Sequence, residues 1–192
     1  MPLSHRTTDP REQQSWVMAN VVLGRDGSTT LGGRSQGLSS TRDRARFHQI
    51  RASADALIVG GNTSRNEPYS KTPKPLFVIS RQSALAEKVA GNDHAHLLNM
   101  NLHHALIHIR ALGFNKILLE AGTTLILSAL HTQELDGIYL TRTPLSTGEN
   151  ILDMKVLEGF FAEQEFVELE RYEEEAETFS FYARAQKAQK AQ

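Results

Sequence analysis

Cysteine is absent from all 192 residues, which removes disulfides, thiolate nucleophiles and cysteine-bearing zinc sites together. Any chemistry then comes from oxygen and nitrogen groups or from a bound cofactor. Net charge is nearly absent too, since 21 Lys and Arg against 22 Asp and Glu leave −1. The basic residues are scattered instead of forming a stripe, so nucleic acid is not expected as a partner. Long apolar runs are missing as well. None reaches the roughly 18 residues a membrane helix needs, and residues 1–14 form a polar arm without a signal-peptide core. A cytoplasmic protein with no membrane partner is the expectation. Residues 185–192 repeat Gln, Lys and Ala without an apolar face, which predicts a low-complexity tail. Residues 15–184 are long enough for one hydrophobic core and short for two.

What is present is an alternation of short apolar runs with helix-like segments. Residues 16–23 are apolar and β-branched and predict a buried strand, ended by Gly24-Arg25-Asp26-Gly27. Asp26 reads as a turn-closing acceptor and not as a catalytic acid. Gly32, Gly33 and Gly37 mark a flexible loop, after which Ser40 can cap a helix over residues 41–52. Residues 56–59 predict a second strand, stopped by Gly60-Gly61. Residues 76–80 predict a third, 83–90 a helix, 96–98 a weak strand, 102–112 a helix closed by Gly113, and 116–119 a further strand. A helix ending near His131 and a strand over 136–141 follow. Residues 166–172 and 178–183 alternate around Glu173-Glu174-Glu175 and predict an antiparallel hairpin at the sheet edge. Such alternation implies a three-layer α/β fold with a mixed, mostly parallel sheet.

Two glycine turns stand where such sheets bind ligands, at strand carboxyl ends. In the first, Glu120-Ala121-Gly122-Thr123-Thr124 joins a strand to a helix. Gly122 would let a pyrophosphate approach the backbone, and the helix-start amides of Thr123 and Thr124 would present positive dipole to it. A plain strand-to-helix turn has the same pattern, and the spacing departs from the longer dinucleotide fingerprint. The second turn, Gly60-Gly61-Asn62-Thr63, also follows a buried strand. Ser80-Arg81, ending the third strand, offers a hydroxyl and a guanidinium for a 2′-phosphate. An exposed arginine starting a helix is the alternative. His94, His96, His103, His104 and His108 cluster in sequence, but no carboxylate completes a His-Glu-x-x-His pattern, so no metal is expected.

Taken in order, these segments resemble the reductase domain of the bifunctional riboflavin biosynthesis deaminase/reductase and its stand-alone relatives. The resemblance spans residues 16–150. Residues 20–27 are similar to the family's first strand and its Ser-Leu-Asp-Gly ending. Ser35-Gln36-Gly37-Leu38-Ser39-Ser40 is similar to its Ser-Gln-Trp-Ile-Thr-Ser loop, and Arg51-Ala52 follows at the family's distance. Residues 54–60 match its second-strand signature. Asn62-Thr63 and Glu67-Pro68 resemble its Gly-Thr-Val and Asp-Asp-Pro elements, and Leu119-Glu120-Ala121-Gly122 resembles its Glu-Gly-Gly cofactor turn. Residues 135–145 resemble its Val-Asp-Glu strand and the Pro-Leu-Leu loop after it.

The resemblance implies a dihydrofolate reductase-like fold and a homodimer. It implies NADPH-dependent reduction of 5-amino-6-(5-phosphoribosylamino)uracil, a small phosphorylated pyrimidine, to the ribitylamino form. Ser35 and Arg51 match the residues that hold the substrate's ribose phosphate in the family. Glu67 matches the carboxylate on the pyrimidine, and Asn20 stands where relatives carry lysine or asparagine, so these two are the candidate catalytic residues. Ser39 and Glu120 join Gly60, Gly61, Asn62, Thr63, Ser80, Arg81, Gly122, Thr123 and Thr124 as cofactor-side candidates. Three positions depart from the pattern. Gly24 and Arg25 occupy the neighbourhood of the serine before Asp-Gly, and Asn66 replaces the first aspartate of Asp-Asp-Pro. The arginine expected after Pro68 is missing, leaving Lys71 or Lys74 as nearby cations. A reductase of another heterocycle and a non-catalytic NADP(H)-binding protein stay open as alternatives. A zinc deaminase needs a Pro-Cys-x-x-Cys element, so reduction without deamination is expected. Residues 138–140 and 166–169 are candidates for either a subunit interface or core.

Overall fold

Eight strands form one sheet in this computed structural model, which describes residues 9–185. They are β1 (Trp16–Leu23), β2 (Ala56–Gly60), β3 (Leu76–Ile79), β4 (Ala95–Leu98), β5 (Lys116–Leu119), β6 (Gly137–Arg142), β7 (Phe166–Glu174) and β8 (Glu177–Arg184). Their order is β4-β3-β2-β5-β1-β6-β8-β7. The first six of that order run parallel, and β8 pairs antiparallel with both β6 and β7. The first eight residues of the polar arm and the tail beyond Ala185 lie outside the described residues.

Six helices cover the sheet: α1 (Thr41–Ser53), α2 (Gly61–Asn66), α3 (Glu87–Ala90), α4 (Leu102–Ala111), α5 (Thr123–His131) and α6 (Met154–Glu163). Strand side chains alternate between two cores. Ala56 and Ile58 of β2 join α4, α5 and α6 on one face, whereas Leu57 and Val59 join Ile50 of α1 and Val89 of α3 on the other. Burial on both faces is why β2 is a continuous apolar run. Each such Leu, Ile or Val contributes about 1.5–3 kcal/mol. Caps set the helix starts: Ser40 Oγ accepts from Asp43 N at 3.0 Å, and Asn101 Oδ1 accepts from His104 N at 3.0 Å.

Several segments differ from the sequence expectation. Only Glu87–Ala90 of residues 83–90 is helical, because Ser83 and Ala84 are exposed and have no apolar face to bury. The second glycine turn opens directly into α2. Helix α6 was not expected at all. Its Leu157 and Phe161 lie one turn apart and bury together, behind the Asp153 cap. The loop over residues 29–33 is held, since Glu149 accepts from Thr30 Oγ1 at 2.9 Å and from the amides of Gly32 and Gly33 at 3.2 and 3.3 Å. Ile138, Tyr139 and Leu140 are core, between 1% and 8% exposed, whereas Val167 and Leu169 on the edge strand β7 are 38% and 36% exposed. The polar arm also docks: Arg11 lies over the Phe181 ring at 4.4 Å and pairs with Glu170 at 2.7 Å. No helix among the described residues is long and apolar enough to cross a membrane.

Candidate active site

The carboxyl ends of β1, β2, β3 and β5 open into one cavity of about 850 Å³. This is where an open α/β sheet accepts ligands, because the strand-to-helix turns splay apart there. Asn20 is the one residue of β1 that is not buried, and it lines the cavity. A polar side chain inside an otherwise apolar strand is thus accounted for by the space it faces.

One wall of the cavity is built on two glycine-bearing turns. It comprises the β2–α2 and β5–α5 turns, which touch where Gly122 N donates to Thr63 Oγ1 at 3.2 Å. Gly122 is the N-cap of α5 and supplies no side-chain acceptor, so the Thr123 and Thr124 amides at the helix start face the cavity region uncapped. Gly122 has φ of −70° and Gly60 φ of −84°, conformations open to any residue. A Cβ at Gly122 would meet nothing nearer than Thr63 Oγ1 at 3.6 Å, and one at Gly60 nothing nearer than Leu125 at 4.0 Å. Neither glycine is demanded by the chain's own packing, which fits a ligand approaching the backbone. Gly61 is different, because its Cβ would stand 2.7 Å from Ser80 Oγ, so it serves the packing of α2 on the end of β3. Ser80 Oγ accepts from Gln82 N at 3.1 Å, Arg81 is exposed, and Asn62 accepts from Arg65. All of these side chains line the cavity.

The facing wall is built of side chains. Helix α1 turns Asp43, Arg44, Phe47 and Arg51 toward the cavity, the last three along one helical stripe. Arg51 forms a two-pronged ion pair with Glu120, Nε to Oε1 at 2.8 Å and Nη2 to Oε2 at 2.5 Å. Tyr69 OH donates to Glu120 Oε2 at 2.9 Å, and the Arg51 guanidinium lies 4.3 Å from the Phe47 ring centre. The Glu120 side chain is only 3% exposed. Burial works against the charge on Arg51, but the Glu120 carboxylate outweighs it and the guanidinium is held above its ordinary pKa. Burial, and then the charge of Glu120, pushes the Tyr69 hydroxyl well above its ordinary value. Two residues expected to serve different ligands are therefore partners of each other. The pair spans from α1 to the end of β5.

Ser35 and Glu67, expected together on the substrate side, are neighbours: Ser35 N donates to Glu67 Oε1 at 2.6 Å. Ser39 Oγ donates to Ser35 O at 3.3 Å. Asp26 accepts from Ser28 N, Ser28 Oγ and Thr147 N, which closes its turn and lowers its pKa. Lys71 and Lys74 do not line the cavity, whereas Arg44, Phe47, Arg65 and Tyr69 do. Helical spacing from Arg51 back to Phe47 and Arg44 was the signal that could have found the first two. Tyr69 carried none, since only folding brings it to Glu120. Two of the three histidines of α4 find ordinary partners, His103 with Glu134 at 2.6 Å and His104 with Asn101 at 2.9 Å.

Comparison with known proteins bears on this geometry. The chain is 30% identical over 146 residues to the riboflavin biosynthesis protein RibD of Mycobacterium tuberculosis, a stretch that covers 70% of this chain and 42% of that protein. It thus spans well under half the length of the curated relatives it matches. Among solved structures, a pyrimidine reductase-like protein from Corynebacterium diphtheriae superposes with a TM-score of 0.70 at 19% identity, covering 93% of this chain and 95% of the other. RibD from Acinetobacter baumannii superposes with a TM-score of 0.70 at 16% identity, covering 90% of this chain and 58% of the other. At these identities the two structures speak for the shared fold. A sequence model of one family, described as the RibD C-terminal domain, matches residues 15–176. With most of its length inside that match, the chain belongs to the RibD C-terminal domain family.

Proposed function

We propose that this chain uses NADPH to reduce the sugar carbon of a phosphorylated ribosylamino-pyrimidine. The reaction converts 5-amino-6-(5-phosphoribosylamino)uracil to its ribitylamino form in riboflavin biosynthesis. The observation that carries the reading is one cavity with two unlike walls: bare glycine backbone and an uncapped α5 on one side, polar side chains of β1 and α1 on the other. A dinucleotide fits the first wall and a polar heterocycle the second. When bound, the nicotinamide supplies the hydride. In the open-chain imine form, the sugar C1 gains that hydride and the adjacent nitrogen a proton, while NADPH becomes NADP⁺.

The chain's own residues position and hold. The amides of Thr123 and Thr124 serve the pyrophosphate, and Ser80 with Arg81 serves the 2′-phosphate. Glu67 has one oxygen committed to Ser35 N, and its other oxygen accepts from a pyrimidine N–H. Asn20 contacts the substrate from the floor of the cavity. Nothing here demands a metal or a covalent nucleophile, because hydride transfer asks chiefly for alignment and exclusion of water. A cytoplasmic homodimer belongs to the same proposal, supported by the exposed Val167 and Leu169 of the edge strand β7; a monomer in light scattering would overturn that part.

Single-turnover oxidation of NADPH tests the reading, with the phosphorylated ribosylamino-uracil beside dihydrofolate. Turnover of the first substrate alone is expected, without zinc-dependent release of ammonia from its deaminase precursor. Turnover of dihydrofolate instead would move the chain to a different substrate. NADPH binding with no turnover of either would make it a binding protein.

A further inference from the structure

We infer that Glu149 is a positioning residue: without lining the cavity itself, it latches the segment that closes one end of the cavity and brings Ser35 to Glu67. The inference rests on the reading above for what Ser35 and Glu67 hold, but the latch stands on the loops themselves. Leu31 N donates to Arg34 O at 3.0 Å and Arg34 N to Leu31 O at 3.4 Å, so residues 31–34 form a two-residue hairpin turn. Gly32 and Gly33 at its tip have φ of 62° and 76°, the left-handed region such a turn needs. Both of their amides donate to one carboxylate, Gly32 N to Glu149 Oε1 and Gly33 N to Glu149 Oε2, and Thr30 Oγ1 donates to Oε2 as well. The Thr30 hydroxyl and then the glycine amides hold the Glu149 pKa below its ordinary value, so the latch is charged at neutral pH.

The carboxylate is fixed in turn by its own loop. Thr30 and Glu149 exchange backbone hydrogen bonds at 2.8 and 3.3 Å, Thr29 N donates to Glu149 O at 3.1 Å, and Asn150 Nδ2 donates to Thr30 Oγ1 at 2.8 Å. A side chain at Gly148 would run into Thr30 O, so the two loops lie flush. Thr147 and Asn150, on either side of Gly148 and Glu149, have φ of 67° and 56°. A left-handed backbone is unfavourable for a β-branched threonine, and such strain persists only where the surroundings impose it. Thr147 N, donating to Asp26 Oδ2 at 2.7 Å, is part of that constraint. Thr29, Thr30, Gly33 and Ser35 line the cavity, and Ser35 N donates to Glu67 Oε1. The segment is therefore tied at its tip by Glu149 and at its end by Glu67, and only the second tie is made by a residue of the cavity lining. Removing the first frees two glycines, the most permissive of residues, and loosens the placement of Ser35 against Glu67.

Trypsin reads the latch without turnover, because Arg34 is exposed at the turn and cleavage after it requires the segment to open locally. In Glu149→Ala, that cleavage should be at least about tenfold faster than in the wild type, with amide exchange accelerated over residues 29–36 and unchanged over β1 and β2. Glu149→Gln keeps one acceptor oxygen and should fall between the two, which gives a second reading should Glu149→Ala fail to fold. Glu158→Ala, which removes an exposed carboxylate of α6, should behave as wild type does. Unchanged cleavage after Arg34 in both Glu149 variants would overturn the inference, and so would exchange accelerated along the whole chain, the mark of general destabilisation. In turnover, Glu149→Ala should raise the KM for the pyrimidine about tenfold with kcat nearly unchanged, because contacts made alike in the ground and transition states set KM. NADPH affinity should stay at the wild-type value, and an equal loss there would also overturn the assignment. If the wild type turns over no pyrimidine yet cleavage after Arg34 still depends on Glu149, the functional reading fails while the latch survives.

Discussion

The two walls of the cavity are made by different means. On the β2–α2 and β5–α5 side, the cavity is bounded by turns in which Gly60 and Gly122 leave stretches of backbone uncovered. On the α1 side it is a set of long side chains whose pairings decide which of them remain available. Backbone exposed by a glycine stays exposed however its neighbours pack. An arginine on such a wall is paired or left unpaired depending on whether a carboxylate from another element reaches it: Arg51 meets Glu120, whereas the Arg44 side chain lies over the Phe47 ring with no hydrogen-bond or ion-pair partner among the described residues.

The sharpest way to break this contrast is at the brace. Glu120→Gln leaves the Arg51 charge buried without its partner and should cost about 3 kcal/mol or more of stability in urea unfolding. An unaffected midpoint would mean that the pair is ornamental and Arg51 free. The bare wall is tested next by Gly122→Val, which should leave the melting temperature nearly unchanged, because the new side chain meets only Thr63 Oγ1 at 3.6 Å. NADPH affinity should fall by about tenfold or more as the side chain enters the approach path. Gly61→Val is its converse, expected to destabilise by about 1–3 kcal/mol through the clash with Ser80. Wild-type affinity in Gly122→Val would remove that turn from the site.

Smaller effects sharpen the comparison. Tyr69→Phe removes one hydrogen bond to a charged group and should cost about 1.5 kcal/mol, less than Glu120→Gln because Arg51 still holds the carboxylate. Arg81→Ala, at the rim of the bare wall, should reduce the preference for NADPH over NADH by about tenfold; equal affinities of the wild type for the two cofactors would refute the role.

The smallest expected effect lies at the start of α1, where Ser40 Oγ donates to Glu177 at 2.5 Å. Burial raises the Glu177 pKa, with the nearby Asp43 charge adding to it and the Ser40 hydrogen bond opposing. A raised folded-state pKa means that the contribution of this carboxyl is fully present below its unfolded value of about 4.3 and is lost as pH rises through the folded value. Glu177→Gln should therefore raise the melting temperature by only about 2 °C at pH 7.5, and by nothing below pH 4. A gain of equal size at both pH values would assign the effect to packing instead.

The sequence by itself determined the layers. The apolar runs of β1, β2, β3 and β5 are buried on both faces, so their composition announces strands, and Gly60 and Gly122 announce their ends, since both signals are local. Helix α6 was missed, because its buried pair, Leu157 and Phe161 behind Asp153, is too short a pattern to stand out from a loop. Tertiary structure alone decided the charge pairing. Residue 51 meets residue 120 and residue 69 only after β5 inserts between β1 and β2, and no local spacing encodes that meeting. Likewise Ile138 to Leu140 became core and Val167 an exposed edge by strand order, because burial depends on what lies beside a strand and not on its own residues.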